Sequence, residues 1–139
     1  MSASNTPRFD LPLIEDESQP FWDALVDEKL LLKHCTACDR HHYYPRPFCP
    51  HCWSDDVEWV EASGGASLYT YSTVYVNDLP PFGPQVPYVA AVVDLDEGPR
   101  MMTRLVGCTK DTITIGMRLK VAYEQVPDNE LKMAVFEPA

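Results

Sequence analysis

The sequence predicts a mostly β protein in three parts: an N-terminal arm and helix, a cysteine ribbon that takes a metal, and a five-stranded OB-like barrel. Three observations carry this. Four of the five cysteines fall between Cys35 and Cys52 as two CxxC pairs, Cys35-x2-Cys38 and Cys49-x2-Cys52. An amphipathic segment precedes them. After residue 64 the chain reads as short β-rich runs broken by turn residues. The expected boundaries are 1–31 for arm and helix, 32–60 for the ribbon and 61–139 for the barrel.

In chain order, residues 1–15 are polar, contain proline and lack a period, which suits an extended arm. In "ESQPFWDALVDEKLLL", Ser18 is placed to cap a helix, and Pro20 fits its first turn. Phe21 with Leu25, and Trp22 with Val26, form i, i+4 pairs on one apolar face. Glu15, Asp16 and Glu17 lie near the positive helix end and Lys29 near the negative one. A helix of about three turns is expected. "LLLKH" then reads as a short strand into the cysteines.

Beyond them, Gly64-Gly65 marks a turn. Leu68, Thr70, Ser72, Val74 and Val76 alternate with Tyr69, Tyr71, Thr73 and Tyr75, so both faces of that strand are expected to be partly covered. "LPPFGPQVP" is a loop dense in breakers. "YVAAVVDL" and "RMMTRLVG" flank a turn at Asp96-Glu97-Gly98-Pro99. "RLKVAYEQV" and "LKMAVFEP" flank another at Asp128-Asn129. The stretch "CTKDTITIGM" has no clear reading. Five strands in so short a region suit a closed barrel, because closure removes exposed edges. A sandwich or an SH3-like barrel fits the same periodicity.

Composition narrows the function. With 139 residues, 45% hydrophobic and 23% charged, the chain suits one folded domain or a small core with an attached module. It has no apolar run of the roughly 20 residues that span a bilayer, and its start does not read as a signal peptide. A cytoplasmic location with no membrane partner is therefore expected. In that reducing setting, paired cysteines serve as metal ligands or redox groups more than as disulfides. The net charge of −10 argues against a nucleic-acid backbone as ligand. Lys29, Lys33, Arg40 and Arg46 against Asp39 alone give residues 29–53 a charge of +3, leaving −13 elsewhere. That face is either simply solvated or meets a few phosphates.

Two spaced CxxC pairs supply four thiolates to one point, the tetrahedral set that zinc takes in structural sites. Four protein ligands leave no open position for water, so the metal is read as structural. A redox dithiol and an iron tetrathiolate are the alternatives. His34, His41, His42 and His51 either replace a ligand, lie exposed or orient the thiolates. Cys108 reads as a small apolar residue. Asp94 and Asp96 alternate at a strand end beside a turn. Tyr69, Tyr71 and Tyr75 could stack on bases, but sheet propensity explains them and they lack basic neighbours in sequence. No nucleophile elbow, zinc-protease helix or phosphate loop is present.

The segments "FWDALVDEKLLLKHC", "YYPRPFCPHC", "GGASLYTYSTVYV", "VPYVAAVVDLDEGPRMMTRLVG" and "IGMRLKVAYEQV", in that order, closely resemble the DUF35 family (domain of unknown function 35). The resemblance covers roughly residues 10 to 138. Its members are zinc-ribbon and OB-fold proteins that accompany thiolases and related acyl-CoA enzymes. The resemblance implies a rubredoxin-like ribbon followed by an OB barrel, with Cys35, Cys38, Cys49 and Cys52 on structural Zn²⁺. It implies a non-catalytic subunit with no catalytic residue of its own. The expected partner is a thiolase, a lipid-transfer-protein-like aldolase or a hydroxymethylglutaryl-CoA synthase, as a heterotetramer by analogy with the thiolase dimer. Some relatives associate with MaoC-type hydratases.

For acyl-CoA contact, Lys29, Lys33, Arg40 and Arg46 are candidates for the phosphates. Phe21, Trp22 and Leu25 are candidates for pantetheine or the partner. Phe82 is either a docking element or a plug for the barrel end. The residue after each CxxC is often glycine in such knuckles, where a positive φ helps. Here Asp39 and Trp53 stand there, and tryptophan suits that geometry poorly, so a different curl is expected in the second knuckle. The rival readings are a nucleic-acid-binding zinc-ribbon/OB module and an iron-loaded electron carrier.

Overall fold

The computed structural model describes residues 8–139; the start of the expected arm, residues 1–7, lies outside the described residues. Residues 8–15 bend at Phe9 and Asp10, run without regular structure to Glu15 and enter through a turn at 16–18 one helix, α1 (Gln19–Val26), with Pro20 in its first turn. The helix has eight residues, about two turns and not three. It stops because the chain turns left-handed at Glu28 (φ 60°). There Glu28 N–H donates to the Leu25 carbonyl and Lys29 N–H to the Ala24 carbonyl, both at 2.9 Å, a Schellman closure. The expected cap also differs. Ser18 Oγ makes no bond to the helix N-terminus. It accepts from Glu15 N–H at 3.0 Å and donates to the Glu15 carbonyl at 3.2 Å, closing the preceding turn instead. Phe21, Trp22 and Leu25 are buried while Val26 is not, so the apolar stripe is narrower than expected.

The ribbon is a three-stranded sheet. Its central strand β1 (Leu31–Cys35) lies antiparallel to β2 (His41–His42) and β3 (Val57–Glu61). Leu30 and Leu32 point into the core beside Phe21, Trp22 and Leu25, so helix, ribbon and barrel share one apolar cluster.

The barrel comprises β4 (Gly65–Val74), β5 (Tyr88–Leu95), β6 (Arg100–Leu105), β7 (Arg118–Gln125) and β8 (Lys132–Pro138), closed in the order β4-β5-β6-β8-β7. Closure in this Greek-key order is the OB arrangement and sets aside the sandwich. All junctions are antiparallel ladders except β6–β8, which is parallel and carries the single register pair Leu105↔Phe136. Alternate residues of β5 (Val89, Ala91, Val93 and Leu95) face the interior, as period two requires. The hairpin turns fall where expected, with Leu95 N–H bonded to the Pro99 carbonyl and Val126 N–H to the Leu131 carbonyl, 2.9 and 2.8 Å. Residues 106–117 form no strand, but Leu68 and Gly116–Met117 exchange backbone bonds that fasten the segment to β4.

Two local features set the shape of β4. Gly64 has φ 90°, and a Cβ there would lie 2.8 Å from Val121 Cγ1; a Cβ on Gly65 would collide with the Asp96 carboxylate. The strand can start this close to β7 and the 95–99 turn only because both residues are glycine. A bulge at Tyr69 then breaks the register with β5 between Leu68 and Thr70. Ala66 and Leu68 face inward before it and Tyr71 after it, so the inward set switches from even to odd positions.

Candidate functional site

Each cysteine pair folds as a knuckle, and the two are built alike. Cys35 N–H donates to the Arg40 carbonyl and Asp39 N–H to the Cys35 carbonyl, at 2.9 and 2.8 Å. Cys49 N–H donates to the Ser54 carbonyl and Trp53 N–H to the Cys49 carbonyl, at 2.7 and 2.8 Å. Asp39 and Trp53 take the same left-handed turn, φ 61° and 67°. The second knuckle therefore does not curl differently, contrary to the sequence expectation. Trp53 is 75% exposed, which frees its side chain from local clash, and its ring stacks on Phe48 at 5.3 Å. That stacking offsets part of the backbone cost.

The four Sγ atoms of Cys35, Cys38, Cys49 and Cys52 lie within 4.8 Å of one another. Cys35–Cys52 and Cys38–Cys49 are each 3.6 Å apart. Four sulfurs at a Zn–S distance of about 2.3 Å in a tetrahedron sit about 3.8 Å apart, whereas a disulfide needs about 2.0 Å. The donor set thus fits a structural zinc. Electrostatics agrees. Burial and hydrogen bonds among the sulfurs push the Cys38 thiol up to about 12. Burial also acts to raise Cys49, but N–H groups of Cys52 and His51 outweigh it and draw that thiol down to about 7. Thiols this close resist ionising together until a cation joins them.

The histidines serve the frame around this centre. His34 bridges Asp39 Oδ1 (Nε2, 2.7 Å) and Glu58 Oε1 (Nδ1, 3.2 Å), and those bonds raise its pKa. It thereby ties the first knuckle to β3. His51 donates its backbone N–H to Cys49 Sγ at 3.3 Å. His42 is 5% exposed, and neither ring nitrogen has a partner among the described residues. Burial, then the positive neighbours His51, Lys33 and Arg46, lowers its pKa.

Two clefts adjoin the ribbon. One, of ≈ 160 Å³, follows the seam where β6 and β8 diverge and α1 covers the gap. Trp22 and Phe82 form one wall and Met101, Met102, Met133 and Arg104 another. Arg104 donates to Gln85 Oε1 at 2.9 Å and lies 4.5 Å from the Tyr88 ring centre, holding the proline loop over the seam. The other cleft, ≈ 350 Å³, lies between the first knuckle and the 95–99 hairpin, lined by Arg40, His41, His42, His51, Glu97 and Arg100.

The structure brings Phe21, Trp22, Leu25 and Phe82 together along the seam, the first three as core residues. It does not gather the four cations. Lys33 lies over the Trp59 ring at 4.1 Å and, like Arg46, neighbours His42; Arg40 edges the second cleft, which His42 also lines; Lys29 stands exposed elsewhere. Asp94 and Asp96 pair with Arg100 and Arg118, at 2.7 and 2.9 Å. Tyr69, at the bulge of β4, does have a basic neighbour, the Arg100 guanidinium 3.6 Å from its ring. The methionines and Arg104 had no signal in sequence beyond their strand positions.

A short helix, a four-cysteine ribbon and an OB barrel in that order define the class of zinc-ribbon/OB proteins. Two family models match in succession: the rubredoxin-like zinc ribbon domain of ChsH2 over residues 22–58 and the C-terminal OB-fold domain of ChsH2 over residues 59–124. The chain belongs to the DUF35 family. It is 31% identical to a DUF35 domain-containing scaffold protein of Methanocaldococcus jannaschii, over 68% of this chain and 67% of that protein. It is 38% identical to a probable enoyl-CoA hydratase alpha subunit of Thermomonospora curvata over 92% of its own length, but spans only 39% of that subunit. Among solved structures, the Ltp2-ChsH2(DUF35) aldolase superposes with a TM-score of 0.80 at 37% identity, covering 92% of this chain and 98% of the matched one. Among the described residues no helix is long and apolar enough to cross a membrane.

Proposed function

We propose that this chain is a non-catalytic accessory subunit of a thiolase-fold enzyme, a thiolase or a lipid-transfer-protein-like aldolase acting on acyl-CoA in the cytoplasm. The observation that carries this is the match, over nearly the whole of both chains, to the DUF35 component of a solved aldolase complex. Arm and helix (1–31), ribbon (32–60) and barrel (61–139) act as three units, and the assembly is a heterotetramer. Cys35, Cys38, Cys49 and Cys52 would hold one Zn²⁺, which when bound would offset half of the charge of the four thiolates and cross-link the two knuckles. The chain's own residues do the rest. His34 fixes the first knuckle to β3, Arg104 holds the proline loop, and α1 seals the barrel seam. Lys29, Lys33, Arg40 and Arg46 meet CoA phosphates singly and not as a cluster, while Trp22 and Phe82 border the seam cleft beside the thioester arm.

Native mass spectrometry of the tagged chain isolated from its host tests the assembly. Recovery with zinc and a thiolase-fold subunit supports it; recovery alone, or with nucleic acid, refutes it. On the complex, Arg46→Ala is expected to weaken acyl-CoA binding by calorimetry while leaving the zinc in place. An unchanged titration removes Arg46 from the phosphate site.

A further inference from the structure

The arm ahead of α1 carries its amphipathy inside out. Along residues 8–14, Arg8, Asp10, Pro12 and Ile14 are half-buried, while Phe9, Leu11 and Leu13 are 54%, 40% and 82% exposed. An extended segment that settles against its own protein turns apolar side chains inward and charges outward. Here the reverse order is pinned in place. Arg8 pairs with Asp10 at 2.9 Å and donates to the Pro127 carbonyl at 2.8 Å, and Phe9 N–H donates to the Pro80 carbonyl at 3.0 Å. Ile14 packs on the core. The N–H groups of Leu11, Leu13 and Ile14 have no backbone partner among the described residues. The loop that receives Phe9 also exposes Tyr75, Val76 and Leu79. These two adjoining segments hold six of the thirteen large apolar side chains exposed among the described residues, a concentration that marks a covered surface.

We infer that Phe9, Leu11 and Leu13 form a docking strip for a groove on the catalytic subunit, apolar along its floor and rimmed by lysine or arginine. The inference rests on the accessory-subunit reading above. Charge chooses the occupant. Asp10, Glu15, Asp16, Glu17 and Asp78 lie along these two segments, and Arg8, the one lysine or arginine within residues 8–17 and 75–79, pairs with Asp10. A second copy would bring the same acidic flank against itself, at −10 per chain. A basic-rimmed groove on a different protein is complementary. An extended backbone with unpaired N–H groups and side chains at alternate positions suits strand-type docking, where main-chain bonds hold and pockets select.

Hydrogen exchange on the isolated chain and on its purified complex with the thiolase-fold subunit tests this. Amides of Leu11, Leu13 and Ile14 are expected to exchange fast in the isolated chain and at least about 10-fold slower in the complex. The double variant Leu11→Asp, Leu13→Asp is expected to weaken subunit binding about 30-fold or more, as loss of an interface anchor does. Its melting temperature and zinc content should match the parent, since both side chains face solvent. A complex whose arm exchanges at the free rate, or a double variant that binds like the parent, overturns the strip and leaves the accessory reading standing. Failure to form any complex overturns both. An arm already protected in the isolated chain, or a dimer of the chain that the double variant abolishes, assigns the strip to another occupant and overturns the inference.

Discussion

Between Leu31 and Glu61 the chain makes three strands of five, two and five residues; between Gly65 and Pro138 it makes five strands of six to ten. The ribbon buries few apolar side chains of its own, chiefly Leu32, and two of its best buried groups are Cys35 and Cys49. The barrel buries Ala66, Leu68, Val89, Ala91, Val93, Leu95, Met101, Leu105, Leu119, Ala134 and Phe136. One region is ordered by coordination and the other by closure. A segment as short as the ribbon cannot supply enough apolar burial to order itself, whereas a closed barrel satisfies its ladders internally.

Removing a ligand should separate the two regions most sharply. Cys49→Ser is expected to abolish tight zinc binding, an apparent ~10–16 kcal/mol in small zinc modules, so ribbon amides lose exchange protection. Barrel amides should keep theirs. If elemental analysis finds no zinc and the barrel opens as well, the regions are not independent. Phe136→Ala is the converse. This ring is 0% exposed, and its loss should cost about 3–5 kcal/mol in urea unfolding while zinc stays bound at low denaturant.

Smaller effects probe the knuckles and the barrel rim. At Trp53, valine adds β-branching to a left-handed turn and removes the stack on Phe48, so Trp53→Val should destabilise the ribbon by about 1–2 kcal/mol. Trp53→Gly relieves the turn and loses the stack, and the two should cancel to within about 1 kcal/mol, read by thermal release of zinc to a colorimetric chelator. The Arg118 guanidinium holds the Asp96 carboxyl below its usual range, mainly by hydrogen bonding. Because the folded value is depressed, the stabilisation is present above the unfolded aspartate's pKa of about 4 and is lost as pH falls through the lower folded value. Asp96→Asn should therefore cost at most ~0.5 kcal/mol at neutral pH for so exposed a pair, and the difference should vanish in acid.

The cysteine spacing made the metal centre legible, and the period of "YVAAVVDL" made the core strand β5 legible. What stayed hidden has physical reasons. The strand containing Tyr69 looked two-faced because the bulge moves its inward set from even to odd positions, and a bulge leaves no composition signal. Trp53 was expected to spoil a turn that its exposure and its stack on Phe48 allow. The helix ended early because Glu28 accepts a left-handed conformation usually given to glycine. The seam cleft depends on how far apart two strands run before they meet at Leu105↔Phe136, which no local pattern encodes.

That divergence has a mechanical consequence. Four junctions of the barrel are zipped by ladders, whereas β6 and β8 meet at one latch, the Leu105↔Phe136 pair with Val106 N–H bonded to the Phe136 carbonyl at 2.8 Å. Thr103 Oγ1 on the Ala134 carbonyl adds one side-chain stitch at 3.0 Å. The wall can therefore splay along this line without breaking a ladder, with α1 as its shutter and the methionines as its lining. Separating β6 from β8 breaks one register pair and one side-chain stitch, fewer than at any other junction of the barrel.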